Sequence, residues 1–98
     1  MIRHVVMFRW NTGVDEAHVA ATTAAFAALP AQIPQIVSYA FGRDLGLAAA
    51  NLDYSVTGEF ASVDDFVAYR DHPAHQALLQ SFIVPFIQER HAVQFSIG

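Results

Sequence analysis

The sequence predicts an α+β domain whose elements run strand, helix, strand, strand, helix, strand. Three observations carry that expectation. β-Branched and aromatic stretches stand at both ends and in the middle of the chain, segments with large apolar residues at helical spacing lie between them, and Gly, Pro and Asn-Thr-Gly mark the junctions. With 98 residues there is room for one core, so a single domain over residues 1–98 is expected.

Ile2 to Trp10, IRHVVMFRW, is β-branched and aromatic with little strict alternation, which predicts a strand buried on both faces. Asn11-Thr12-Gly13 breaks the run. From Asp15 to about Leu29 an alanine-rich helix carries Val19, Phe26, Leu29 and Ile33 as one stripe, and Pro30 and Pro34 bound its end. A second strand, Gln35 to Asp44, places Val37, Tyr39 and Phe41 on one parity and Ile36, Ser38, Ala40 and Gly42 on the other. A third strand runs from Asn51 to Phe60, with Gly58 marking a bulge or a close backbone approach.

Ser62, followed three residues on by Asp65, opens a second helix over Val63 to Asp71. His72 precedes a proline and is biased away from helical dihedrals, whereas Pro73 suits the first position of a new helix. The chain bends there and restarts. Pro85 then interrupts an apolar helical segment, and His91 to Gly98 forms a fourth strand in which Ala92, Gln94 and Ser96 alternate with Val93, Phe95 and Ile97. The order βαββαβ is the ferredoxin-like arrangement, a four-stranded antiparallel sheet with helices on one face.

Composition adds a partner. Hydrophobic residues make up 54% of the chain and charged residues 14%, a surplus that a domain of this size cannot bury alone. Two sheets packed face to face would absorb it, so a homodimer is expected. Net charge is −4 and the five basic residues are scattered arginines, which leaves nucleic-acid binding without an electrostatic footprint. Without cysteine there is no disulfide framework, thiolate metal site or thiol nucleophile. The apolar runs are too short to span a membrane and the first residues lack a signal-peptide layout, so a cytosolic protein is expected.

The candidate chemistry lies in YRDHPAHQALL, Tyr69 to Leu79. With Pro73 at the first helical position, His75 falls at the third, where unpaired backbone donors and the helix dipole disfavour an imidazolium. A neutral imidazole is suited to general-base work, and Tyr69 brings a phenol toward the same place as a donor to a developing oxyanion. His4 shares parity with Val6 and Phe8 on the first strand, in apolar surroundings where an imidazole needs a partner. Plainer roles fit the same residues: His72 as a polar hinge, His75 as a first-turn residue bonded to backbone, Tyr69 as a rim aromatic and His4 as a satisfied core histidine. A metal site from His72 and His75 with His4 or His91 is disfavoured, because the proline bend disturbs the shared face and no carboxylate pair is near. His18 and His91 read as surface or edge residues.

These stretches, together with IPQIVSYAFGRD and FASVDDFVAYRDHPAH, resemble the stress-responsive dimeric A/B barrel family over essentially the whole chain. The resemblance implies a ferredoxin-like protomer that pairs through its sheet into a dimeric α+β barrel, with a pocket between sheet and helices. One plant member is a polyketide cyclase that works by intramolecular aldol condensation, and its histidine, tyrosine and first-strand histidine correspond to His75, Tyr69 and His4. By that likeness His75 is the base, Tyr69 its donating partner and His4 a secondary polar contact, with Phe26 and His72 as substrate-binding residues and no cofactor or metal. Phe26 and a run of alanines stand where the cyclase has a pocket tyrosine, so the substrate need not be the same. The alternative is a non-catalytic barrel whose role is structural or ligand-binding.

Overall fold

β1 (Ile2–Trp10), α1 (Glu16–Gln32), β2 (Ser38–Arg43), β3 (Tyr54–Phe60), α2 (Val63–Asp71), α3 (Pro73–Leu78) and β4 (Ile87–Ser96) follow one another in a computed structural model that describes all residues, Met1–Gly98. The strands form one sheet in the order β2-β3-β1-β4, with every neighbouring pair antiparallel. This is the ferredoxin-like α+β fold. No helix is long and apolar enough to cross a membrane.

One face of the sheet is covered. Val6 and Phe8 of β1 and Tyr54, Val56 and Phe60 of β3 pack under Val19, Phe26, Leu29, Tyr69 and Leu78 of the helices. Apolar area leaving water on this face is the main stabilising term. The opposite face is open in the protomer, with Met7 39%, Phe95 43% and Val93 53% exposed. Strand β1 is therefore buried on its even-numbered face alone, because the apolar Val5 and Met7 that hid the alternation point to the uncovered side.

Local chemistry sets most of the helix boundaries. The Asp15 side chain accepts from the His18 amide at 2.9 Å, and Ser62 accepts from the Asp65 amide at 3.1 Å, so each helix begins on a capped donor. Pro30 does not end α1, which runs to Gln32. Leu29 and Ile33 are both buried, and Ile33 donates to the Leu29 carbonyl at 2.9 Å, so burial of these two carries the helix past the one lost amide. β2 and β3 are shorter than expected. Ahead of β3 the Asp53 carboxylate instead accepts from the Trp10 amide at 2.9 Å and ties down the end of β1.

The expected bend is present. His72 has extended dihedrals (φ −61°, ψ 135°) and separates α2 from α3, which starts at Pro73. Leu79–Ile83 then widens into a π-helical turn, and Val84–Phe86 forms a 3-10 turn around Pro85. β4 begins at Ile87, four residues before His91. Gln88, Glu89 and Arg90 concealed it because β4 is an edge strand, exposed along almost its whole length, where polar residues are tolerated.

Candidate active-site cavity

Strand register places the sheet side of the site. His4 is opposite Gly58 of β3 and Gln94 of β4, and Gly58 is in turn opposite Tyr39 of β2. These four residues form one row across the whole sheet. The next row toward the far end of β1 is Phe41, Val56, Val6 and Ala92, and the one after it Arg43, Tyr54, Phe8 and Arg90. Gly58 is a gap in the first row: a Cβ there would lie 3.1 Å from the Phe60 ring and 3.2 Å from the Tyr39 ring. Both rings lean over the space a side chain would occupy, which is the close approach that the glycine predicted.

Across from these rows, α1 supplies Phe26, α2 supplies Phe66 and Tyr69, and α3 supplies His75. Between helices and sheet lies a cavity of about 330 Å³, lined on its apolar side by Val6, Phe8, Phe26, Phe66, Leu79 and Ala92. That volume is within the range of small-molecule sites. Tyr69, His75 and His4 all line it and are 1%, 7% and 4% exposed.

The two imidazoles are held in opposite tautomers. His75 Nδ1 is 2.9 Å from the Arg70 carbonyl, which can only accept, so the proton is on Nδ1 and the Nε2 lone pair is free. The Gln94 amide nitrogen is 2.8 Å from His4 Nδ1 and donates to it, so neutral His4 carries its proton on Nε2. No buried side-chain nitrogen or oxygen lacks a hydrogen-bond partner, so the two unpartnered Nε2 atoms are not sealed from solvent, and both residues line the cavity. One ring thus offers an acceptor and the other a donor.

Both rings favour the neutral form. Burial lowers the His4 pKa to about 4, aided by the charge of Arg90 and the proximity of His75. Burial also lowers that of His75, with the Arg70 carbonyl opposing the shift. The Tyr69 and His75 rings lie side by side, 4.3 Å between centroids and tilted by 31°. Tyr69 hydroxyl is 2.7 Å from Tyr39 hydroxyl. Burial pushes Tyr69 up to about 12 and Tyr39 higher still, so both are neutral phenols near neutral pH. With Tyr39 donating to Tyr69, the Tyr69 O–H remains for a ligand.

Phe26 is in the lining as expected, but His72 is not. Its Nδ1 accepts from the Ala74 amide at 3.0 Å and caps α3, so its ring is spent on the bend. His18 also differs from expectation: it is half-buried, stacks on Phe86 at 3.9 Å and reaches the Phe82 carbonyl at 2.9 Å. His91 is exposed and pairs with Glu89. No three His, Cys, Asp or Glu side chains converge as a metal-binding group. Sequence reasoning missed Tyr39, Gln94 and Arg90. The inward parity of Tyr39 and the alternation around Gln94 were visible, but which residues they would sit opposite, Gly58 of β3 and His4 of β1, depends on register.

Residues 2–97 match the sequence profile described as Stress responsive A/B Barrel Domain. An uncharacterized protein of Streptomyces coelicolor is 35% identical over 79 residues, 79% of this chain and 81% of that one. Among solved structures, a dimeric ferredoxin-like protein of unknown function from Thermobifida fusca is 47% identical, with a TM-score of 0.91 over 98% of this chain and 90% of that one. The hydroxynitrile lyase of Passiflora edulis shares the fold at 21% identity, with a TM-score of 0.86 over 99% of this chain and 93% of that one.

Proposed function

The chain belongs to the stress responsive A/B barrel domain family, and from that premise we propose that its cavity performs acid–base chemistry on a hydrophobic carbonyl compound. The observation that carries this reading is the opposed pair of imidazoles, a free acceptor on His75 and a free donor on His4, on residues that line one cavity of mixed polar and apolar walls. His75 Nε2 takes a proton from the carbon next to a carbonyl. The electron pair moves onto the carbonyl oxygen, which receives hydrogen bonds from His4 Nε2–H or Tyr69 O–H. The enolate then adds to a second carbonyl, and the proton on His75 returns to the new alkoxide.

The same groups serve the reverse step, in which a carbon–carbon bond beside a hydroxyl breaks. Aldol closure of a polyketide-like chain, its reversal and the breakdown of a hydroxynitrile share this demand for one acceptor and one donor. The lyase of Passiflora edulis supports the class of step rather than a substrate. The cavity's contribution is to hold a flexible chain with its reacting carbons close together.

The protomer works as a homodimer in this proposal, its partner covering Met7, Val93 and Phe95 on the open sheet face. The relative from Thermobifida fusca is dimeric, which supports a homodimer.

Proton exchange tests the catalytic reading without knowledge of the substrate. In deuterated buffer the protein should accelerate α-deuteration of benzylacetone or a longer aryl diketone, followed by NMR, and His75→Asn should reduce the rate by about 10²-fold or more. An unchanged rate in His75→Asn, or none above buffer in the wild type across such ketones, removes the base and leaves a binding or structural barrel.

A further inference from the structure

Four of the five arginines are paired: Arg3 with Glu59, Arg9 with Glu89, Arg43 with Glu16 and Arg70 with Asp71. Arg90 forms no ion pair. It lies opposite Phe8 in the β1–β4 register, so it shares that residue's side of the sheet, and on the exposed edge strand it lines the mouth of the cavity. The chain carries nine carboxylates, and none of them lines that cavity. An acidic protein has thus left one cation without a counter-charge beside its cavity. The charge of Arg90 acts on three groups there, opposing protonation of His4 and His75 and favouring ionisation of Tyr69.

We propose that the compound bound in this cavity is an organic acid, whose carboxylate pairs with Arg90 while its apolar body lies against Val6, Phe26 and Leu79. The inference rests on reading the cavity as the site of carbonyl chemistry, and it narrows the substrate class to amphipathic keto acids. A guanidinium matches a carboxylate with two parallel N–H donors, which fixes direction as well as position. The acid end sits at the Arg90 rim and the carbonyl end extends inward toward the two imidazoles. Arg90 is a positioning residue in this scheme. It selects and orients the compound and takes no proton.

The test compares phenylbutyrate with its amide, two probes of the same shape that differ in charge. Binding is measured by calorimetry on the full chain at pH 8, where both imidazoles are neutral and Arg90 is the cavity's one unpaired cation. The acid should bind roughly three- to tenfold more tightly than the amide. Arg90→Gln should abolish that preference and leave the amide's affinity unchanged, and Arg90→Lys should keep part of it. Equal affinity for the two probes, no binding of the acid at millimolar concentration, or a preference that survives Arg90→Gln overturns the proposal. So does a change in sedimentation on Arg90→Gln, which would assign the guanidinium to a subunit contact. Failure of the catalytic reading looks different: His75→Asn would keep the acid preference while α-deuteration was absent from the wild type as well.

Discussion

Tyr69 and His75 face each other across the break at Pro73, their ring centroids 4.3 Å apart. A continuous helix would set residues six apart on different faces, since the turn repeats every 3.6 residues. The extended dihedrals of His72 cancel that offset. They bring a phenol from the end of one helix and an imidazole from the start of the next into the same buried place.

Acid should destabilise the fold before it reaches the carboxylate range. His4 has a folded pKa of about 4 against 6.5 unfolded, so below pH 6.5 the unfolded chain binds more protons. Stability from neutral His4 is fully present above that value and is lost as pH falls toward 4. The loss is on the order of 3 kcal/mol, with His75 adding in the same direction. Urea melts between pH 8 and pH 4.5 should show the slope, and it should flatten in His4→Asn. Parallel slopes in the two proteins would contradict the assignment.

Removing one phenol should cost more than removing both. Tyr69→Phe leaves the hydroxyl of half-buried Tyr39 without its partner at 2.7 Å, a loss of about 1 kcal/mol. Tyr39→Phe with Tyr69→Phe should recover part of it, and a double-mutant cycle by chemical denaturation reads the coupling. Additive single effects would mean that the two oxygens do not depend on each other.

His72 should matter to stability and not to ligand binding. Its ring caps α3 at 3.0 Å, so His72→Ala should cost about 1 kcal/mol and His72→Asn should restore most of it. Phenylbutyrate affinity should be the same in all three proteins. A selective fall in affinity would return His72 to the binding site.

Sedimentation at low micromolar concentration should give a dimer, and Val93→Glu with Phe95→Glu should give a folded monomer. Both side chains are about half exposed on the open sheet face, where an introduced charge is harmless to a lone protomer. A wild-type monomer, or a double variant that still sediments as a dimer, would place the contact elsewhere.

What the sequence disclosed was what neighbours along the chain decide. Ile2–Trp10 and Val63–Asp71 have the expected bounds, because Asn11-Thr12-Gly13 and the Ser62 cap terminate patterns written locally. Pro73 told where the third helix would start. Pro30 misled because the outcome depended on how deeply Leu29 and Ile33 are buried, a tertiary fact. The start of β4 was hidden because an edge strand has no need of apolar alternation. In the site, His4, Tyr69 and His75 could be named from a local motif and a strand parity. Gln94 and Arg90, which line the cavity, and Tyr39, which meets it only through the Tyr69 hydroxyl, could not, since strand pairing between residues far apart in sequence places all three.

The glycine at position 58 is a switch that evolution or an engineer could throw with one methyl group. Alanine there needs the fully buried ring of Phe60 or the half-buried ring of Tyr39 to give by a few tenths of an ångström. Moved aside, Tyr39 would release its grip on the phenol beneath the helices and leave it free to turn. A side chain at this position therefore presses on the ring whose hydroxyl holds Tyr69, and the spacing of the two oxygens registers it.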